Sequence, residues 1–250
     1  MFLFCNLAVL MLLLTFESPG KIIGGHEVDP LKRSYMVFLR MMTADNKLER
    51  CGGFLIREDF VMTAAHCKAE NHESYEVFYG FDEHSKNHKK VSVKKEFPHH
   101  LYNNTVFTHD IMLLKLSHNV SSTHHIKHIE LAQEESSSLP SPCSVCGWEL
   151  ESNANMPSKL MGVSVTLVEN EDCVKQHAYC SRGRTGTSGV SREKNCCSKG
   201  DSGGPLICNG LAYGVVSASR SDNGSTLYKY TNIPDTIGWI NNILKLLKCP

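Results

Sequence analysis

The sequence predicts an all-β fold closed by one C-terminal helix. Three observations carry this expectation. Short runs of alternating apolar and polar residues recur at 34–40, 54–63, 111–116, 162–167 and 211–216, the period of half-buried strands. Turn-forming residues separate these runs, as strand-to-strand connections require. Near the end the pattern changes: Ile237, Trp239, Ile240, Ile243, Leu244 and Leu247 fall at helical spacing, so a helix is expected there, packed on the second half of the fold. Residues 134–142 are polar and serine-rich, with Pro140 and Pro142, and read as the connection between two subdomains. The chain has 250 residues and no internal repeat, enough for one large domain or two small barrels sharing a core.

The segment 2–14 is apolar except for Asn6. It is too short to span a bilayer and reads as a secretory signal over 1–18, with the small residues Ser18 and Gly20 near the expected cleavage point. No later segment is long and apolar enough for a membrane anchor, so a secreted protein, extracellular or stored in a secretory granule, is expected. Twenty-six Lys and Arg balance twenty-six Asp and Glu. Removing 1–21 takes away Glu17 and Lys21 and leaves the balance at zero. No global field favours nucleic acid or another polyanion. Eleven cysteines, ten after the signal, agree with an oxidising compartment and structural disulfides.

Three separated segments carry chemistry: Thr63-Ala64-Ala65-His66-Cys67, Asp110-Ile111-Met112-Leu113-Leu114 and Gly200-Asp201-Ser202-Gly203-Gly204-Pro205. A serine hydroxyl is a weak nucleophile at neutral pH until an imidazole takes its proton. A carboxylate beyond the ring fixes the tautomer and stabilises the imidazolium. In this reading Ser202 attacks, His66 serves as base and then acid, and Asp110 orients His66. The glycines let the backbone turn so that the N–H groups of Gly200 and Ser202 face the developing oxyanion. Each such donor stabilises the transition state by roughly 3–4 kcal/mol.

Taken in the order His, Asp, Ser with wide spacing, these segments resemble the chymotrypsin/trypsin-like serine proteases, and the resemblance covers nearly the whole mature chain. It implies two antiparallel six-stranded β-barrels with a C-terminal α-helix, the first to about residue 120 and the second from about 140, within a protease domain at 22–250. It implies a serine endopeptidase working through an acyl-enzyme, with no cofactor and protein or peptide substrates. Disulfides Cys51–Cys67 and Cys143–Cys208 follow from the same resemblance. A third bond usually joins a cysteine like Cys173 to one just before the nucleophile loop. Gly186 stands there instead, so Cys180 is the expected substitute, in a remodelled loop. Cys146, Cys196, Cys197 and Cys249 have no evident partner. A monomer is expected, with Cys249 able to link two chains.

Lys21 precedes Ile22-Ile23-Gly24-Gly25. In the family, cleavage there frees an α-amino group that enters the protein and pairs with the aspartate before the nucleophile, here Asp201. Residues 19–21 would be the activation propeptide, removed by a protease that cuts after lysine. So short a propeptide is similar to those of granzymes and mast-cell chymases. Cys196 falls on the floor of the specificity pocket and offers no charge, so a trypsin-like preference is not expected. Thr226 is expected at a second wall, where it narrows the pocket to small or medium uncharged residues. Lys199 before Gly200 resembles granzymes. The substrate strand, Ser217-Ala218-Ser219, lacks the aromatic usual at its centre, which removes contact area. That loss leaves a second reading open: a protease-fold binding or antimicrobial protein with little turnover. Arg220 reads either as a pocket residue favouring an acidic side chain or as a solvated loop residue.

Asn103, Asn119 and Asn223 begin N-x-Ser/Thr sequons and are candidate glycosylation sites. Lys86, Lys89, Lys90, Lys94 and Lys95 offer either a sulfated-glycan contact or a solvated strand face, since Val91 and Val93 alternate with them. The thirteen histidines include the pair His99 and His100 and the group His124, His125 and His128. Neither has the companion ligands of known zinc spacing, and no metal is expected.

Overall fold

The computed structural model describes residues 25–68, 72–81, 88–120, 126–134, 138–149, 156–184, 201–222 and 224–247. The first barrel is built from β2 (Met36–Thr43), β3 (Leu48–Arg57), β4 (Phe60–Thr63), β5 (His72–Tyr79), β6 (Lys89–Pro98) and β7 (Met112–Leu116). It closes in the order β2-β3-β4-β7-β6-β5, antiparallel throughout. Closure leaves no exposed sheet edge. Phe38, Phe54 and Phe60 fill its interior at 0% exposure, each contributing about 1.5–3 kcal/mol of burial.

The second half is an eight-stranded sheet. Its six longer strands are β8 (Cys143–Glu149), β9 (Lys159–Val165), β11 (Ala178–Arg184), β12 (Pro205–Cys208), β13 (Leu211–Asp222) and β14 (Ser225–Asn232). Two two-residue strands flank them in the ladder: β1 (His26–Glu27) on β9 and β10 (Leu167–Val168) on β11. Thus the first strand in the sequence crosses to the second sheet, and the first barrel begins only at Met36. Val145, Val163, Leu206, Tyr228 and Tyr230 form the interior of this half. A second cluster runs from the first barrel through Trp148, Leu160 and Val215, so the two halves share buried surface. The Trp148 indole N–H donates to Val37 O at 2.9 Å across that boundary.

The C-terminal helix α2 (Ile233–Leu246) lies against β13. It also reaches the first barrel: Ile233, Ile240 and Ile243 join the shared cluster, and Arg57 donates to Leu244 O at 3.1 Å. The helix therefore clamps both halves, where the sequence placed it on the second alone. Asn232 caps its start by accepting from Asp235 N, and Pro234 sits in the first turn, where no N–H is needed;. A short helix α1 (Glu171–Lys175) precedes β11, and the Cys173–Cys180 disulfide staples the two. Disulfides Cys51–Cys67 and Cys143–Cys208 are also formed. Buried Cys146 carries a free thiol. Among the described residues no helix is long and apolar enough to cross a membrane.

Candidate active site

His66 lies on a single helical turn, Ala65–Cys67, that follows β4. The Cys51–Cys67 disulfide ties this turn back to β3. Asp110 lies just before β7 and is wholly buried. Its carboxylate grips His66 twice: Oδ1 accepts from the backbone N–H at 2.8 Å, and Oδ2 lies 2.7 Å from Nδ1. With a proton on Nδ1, the lone pair of Nε2 is free for a substrate-side proton. Oδ2 also accepts from Ser217 Oγ at 2.6 Å, and Thr231 Oγ1 donates to Asp110 O at 2.9 Å. A buried carboxylate costs several kcal/mol unless its oxygens are paired, and here each has a donor.

Ser217 reaches Asp110 because β13 is irregular there. Val216 pairs with Tyr230 and Ala218 with Lys229, so Ser217 is an extra residue in the ladder. Such a bulge bends its strand and re-aims a side chain.

The segment from Asp201 to Gly204 is pinned to the same place. Gly52 N donates to Ser202 O at 2.8 Å, Gly203 N to Val216 O at 2.8 Å, and Val216 N to Gly204 O at 2.8 Å. Gly203 has φ +84°, and a Cβ there would fall 2.1 Å from Thr63 Oγ1 and 2.4 Å from Gly52 O. Only glycine allows both that conformation and that approach. Thr63, two residues before the turn that carries His66, in turn donates to Gly52 O at 2.8 Å. The serine segment, the histidine turn and the Ser217 bulge are thus fastened to one another through Gly52, Thr63 and Val216. Asp201 is 2% exposed, and a Cβ at Gly147 would lie 1.8 Å from its Oδ1. Gly147 therefore makes room for the Asp201 carboxylate.

Other sequence candidates are distributed differently. Gly200, Lys199, Cys196, Ile22 and Asn223 lie outside the described residues, as do Lys86, His124, His125, Cys197 and Cys249. On the β13–β14 hairpin, Ala218 stands opposite Lys229, Ser219 opposite Tyr228, and Thr226 opposite Ser221 near the hairpin turn. Tyr228 is buried and faces Ser219 across the ladder, while Thr226 lies two residues nearer the turn. Arg220 is spent on a surface ion pair with Asp172 at 3.0 Å. Asn103 and Asn119 are exposed, and Asn103 Oδ1 accepts from Thr105 N and Val106 N. Lys89, Lys90, Lys94 and Lys95 are exposed on β6, with Lys90 paired to Glu76 at 2.8 Å. The sulfurs of Cys51 and Cys67 stand beside His66, but their disulfide removes them as thiolate ligands.

The sequence reading missed Phe107, which packs on His66, and two residues near it, Lys229 and His109. Phe107, in the left-handed region at φ +54°, sets its ring edge-on to the imidazole at 5.8 Å. Lys229 crosses from β14 to donate to the carbonyls of Val106 and Phe107, both at 2.8 Å, and to Gln176 Oε1 at 2.9 Å. Burial lowers the Lys229 pKa to about 8, with Asp110 opposing and Arg220 adding to the fall. His109, the residue before Asp110, joins a stack His100–His99–His109–His177 with ring centroids 4.5–4.8 Å apart. Burial and the neighbouring imidazoles lower the His99 pKa to about 4.

A family model described as Trypsin matches residues 22–240. The chain belongs to the trypsin family. It is 38% identical over 250 residues to duodenase-1 of Bos taurus, covering 97% of this chain and 98% of that protein. It is 36% identical over 243 residues to granzyme B of Homo sapiens, covering 96% and 97%, and 32% identical over 245 residues to cathepsin G of Homo sapiens, covering 96% and 95%. A solved structure described as that of GrC superposes with a TM-score of 0.73 at 31% identity, over 90% of this chain and 100% of that one. The fold and these relatives place the chain among chymotrypsin-like serine peptidases, hydrolases that act on proteins.

Proposed function

We propose that the chain is a secreted or granule-stored serine endopeptidase, activated by cleavage after Lys21, with a preference other than trypsin-like at the residue before the scissile bond. The observation that carries this reading is the buried Asp110 carboxylate, held by Ser217 and bonded to both the backbone and Nδ1 of His66. That pairing orients the ring and stabilises its cationic form.

The reaction runs in two halves. Ser202 Oγ attacks the scissile carbonyl carbon while His66 Nε2 takes its proton. The carbonyl becomes an oxyanion, for which the family pattern would supply the N–H groups of Gly200 and Ser202 as donors. Collapse breaks the C–N bond as His66 returns the proton to the leaving amine, and the acyl group remains on Ser202. Water then attacks the ester, its proton passing to His66 and on to Ser202 as the acid leaves. The substrate lies along Ser217–Arg220. Among the described residues β14 is the only strand paired with Ala218–Arg220, which leaves room for an extended peptide to add as a strand. Ile22, once freed, supplies the ammonium for the buried Asp201 carboxylate. The granule-stored reading draws on the likeness to granzyme B of Rattus norvegicus and to mast cell protease 3 of Ovis aries, each 35% identical.

The test is to cleave after Lys21 and profile the product on a peptide library, with Ser202→Ala processed in parallel. Cleavage confined to one class of residue before the scissile bond, absent from the Ser202→Ala protein, is expected. Turnover equal to that control would overturn the reading.

A further inference from the structure

Beside the Ser217 bulge lies a cavity of about 340 Å³ between three elements. Phe107 and its neighbours close one side, α1 with Gln176 the second, and the Ala218–Arg220 stretch the third. Its volume falls at the small end of ligand pockets, which run to roughly 300–1,000 Å³. It exists because Ala218, directly opposite Lys229, contributes only a methyl group. Lys229 then spans the space the small residue leaves.

The chemistry of this cavity is lopsided. The Lys229 ammonium is partly buried, yet the acceptors it donates to are two backbone carbonyls and one amide oxygen, none of them charged. The carboxylate of Asp110 acts on it at a distance, but both Asp110 oxygens already hold donors. At the rim Arg220 adds a second cation, and Asp172, its partner, is the one carboxylate among the described lining residues. Burial is the first cause of the lowered Lys229 pKa, and the Arg220 cation adds to it;. A carboxylate entering here would replace the Gln176 amide oxygen with an acceptor of opposite charge, adding an ion-pair attraction that the present neutral acceptors do not supply.

We infer that Lys229 is a specificity-determining residue: it selects an acidic side chain, glutamate or aspartate, at a substrate position upstream of the scissile bond, in the cavity between Phe107, Gln176 and Ala218. This rests on the peptidase reading above, because the cavity opens beside the strand along which that reading lays the substrate. It is a separate recognition from the pocket that Cys196 would floor.

The test uses the protein activated by cleavage after Lys21 and peptides that share one cleavable residue and differ only by Glu or Gln at each of the four positions before the bond. The readout is the Glu/Gln ratio of kcat/KM. One position should favour Glu by about tenfold or more, the range of a hydrogen bond to a charged group. Lys229→Met should bring that ratio to about one. Gln176→Glu, which keeps the lysine and fills the cavity with an internal carboxylate, should do the same and serves if Lys229→Met does not fold. Arg220→Gln should leave most of the ratio in place. Cleavage of both peptide sets at equal rates would overturn the inference and leave the peptidase standing. A Glu preference that survives in both Lys229→Met and Gln176→Glu would also overturn it. No cleavage of any peptide above the Ser202→Ala control would take both readings down together.

Discussion

Two neighbouring regions of the cleft solve the problem of buried charge in opposite ways. Around Asp110 the carboxylate is fully enclosed and each oxygen has a donor, supplied by His66 and Ser217. In the neighbouring cavity, Lys229 is partly enclosed and its hydrogen bonds go to neutral acceptors. The first site is complete without substrate, as a group that orients a general base must be. The second is short of one negative charge, as a recognition site is before its ligand arrives. A saturated site tolerates no substitution, whereas an unsaturated one changes what it prefers. Mutations should separate the two regions on that basis.

The largest effect should come from Asp110→Asn, which keeps the shape but favours the wrong tautomer of His66. We expect kcat to fall about 10⁴-fold with the fold intact by circular dichroism, and peptide turnover of the activated variant measures it. Next is Gly203→Ala. Its φ of +84° and the 2.1 Å approach to Thr63 Oγ1 would impose about 1–3 kcal/mol of backbone strain plus the cost of moving the histidine strand. Denaturant melts should show that loss, with turnover falling alongside it. Ser217→Ala removes one donor from a buried carboxylate, worth about 1.5–3 kcal/mol. It should lower the thermal midpoint by several degrees and kcat by about tenfold, without altering the Glu/Gln ratio that Lys229 sets. That independence is the sharpest way to tell the two regions apart.

The smallest effect is a pH dependence of stability. His99 has a folded pKa of about 4, below its ordinary 6.5, through burial and the imidazoles of His109, His100 and His177. His109 is lowered for similar reasons, opposed by Asp235. The unfolded chain therefore binds more protons than the folded one between about pH 6.5 and 4. Stability contributed by the neutral stack is present above pH 6.5 and lost as pH falls through this window. Urea melts should show a steepening decline there, and His99→Gln should flatten it. A midpoint independent of pH in the wild type would contradict the assignment.

The Asp110 region was legible in the sequence because its residues lie in short local segments. Ala65-His66-Cys67, Asp110-Ile111 and Asp201-Ser202-Gly203-Gly204 each keep their meaning without knowledge of pairing. The expected all-β class was equally readable from strand periodicity, and the helix from its spacing. The Lys229 region was not legible, because its content depends on register. Which residue faces Ser219 across the ladder, and that Ser217 is an extra residue with no partner on β14, are set by strand pairing that the sequence alone does not reveal. Lys229 sits in a strand of tyrosines and threonines and gains its significance from Ala218 across the ladder. The reach of α2 to the first barrel was hidden for the same reason: helical spacing identifies an apolar face but does not say what covers it.

The central claim is that the Asp110–His66 pair activates Ser202. The most direct measurement is to treat the protein, activated after Lys21, with a fluorophosphonate that reacts with base-activated serines, and to locate the adduct by mass spectrometry. The account predicts a single stoichiometric adduct on Ser202, formed at a rate that collapses in His66→Ala and Asp110→Asn. An unmodified Ser202 in the activated wild type, or labelling that proceeds equally in those variants, would contradict it.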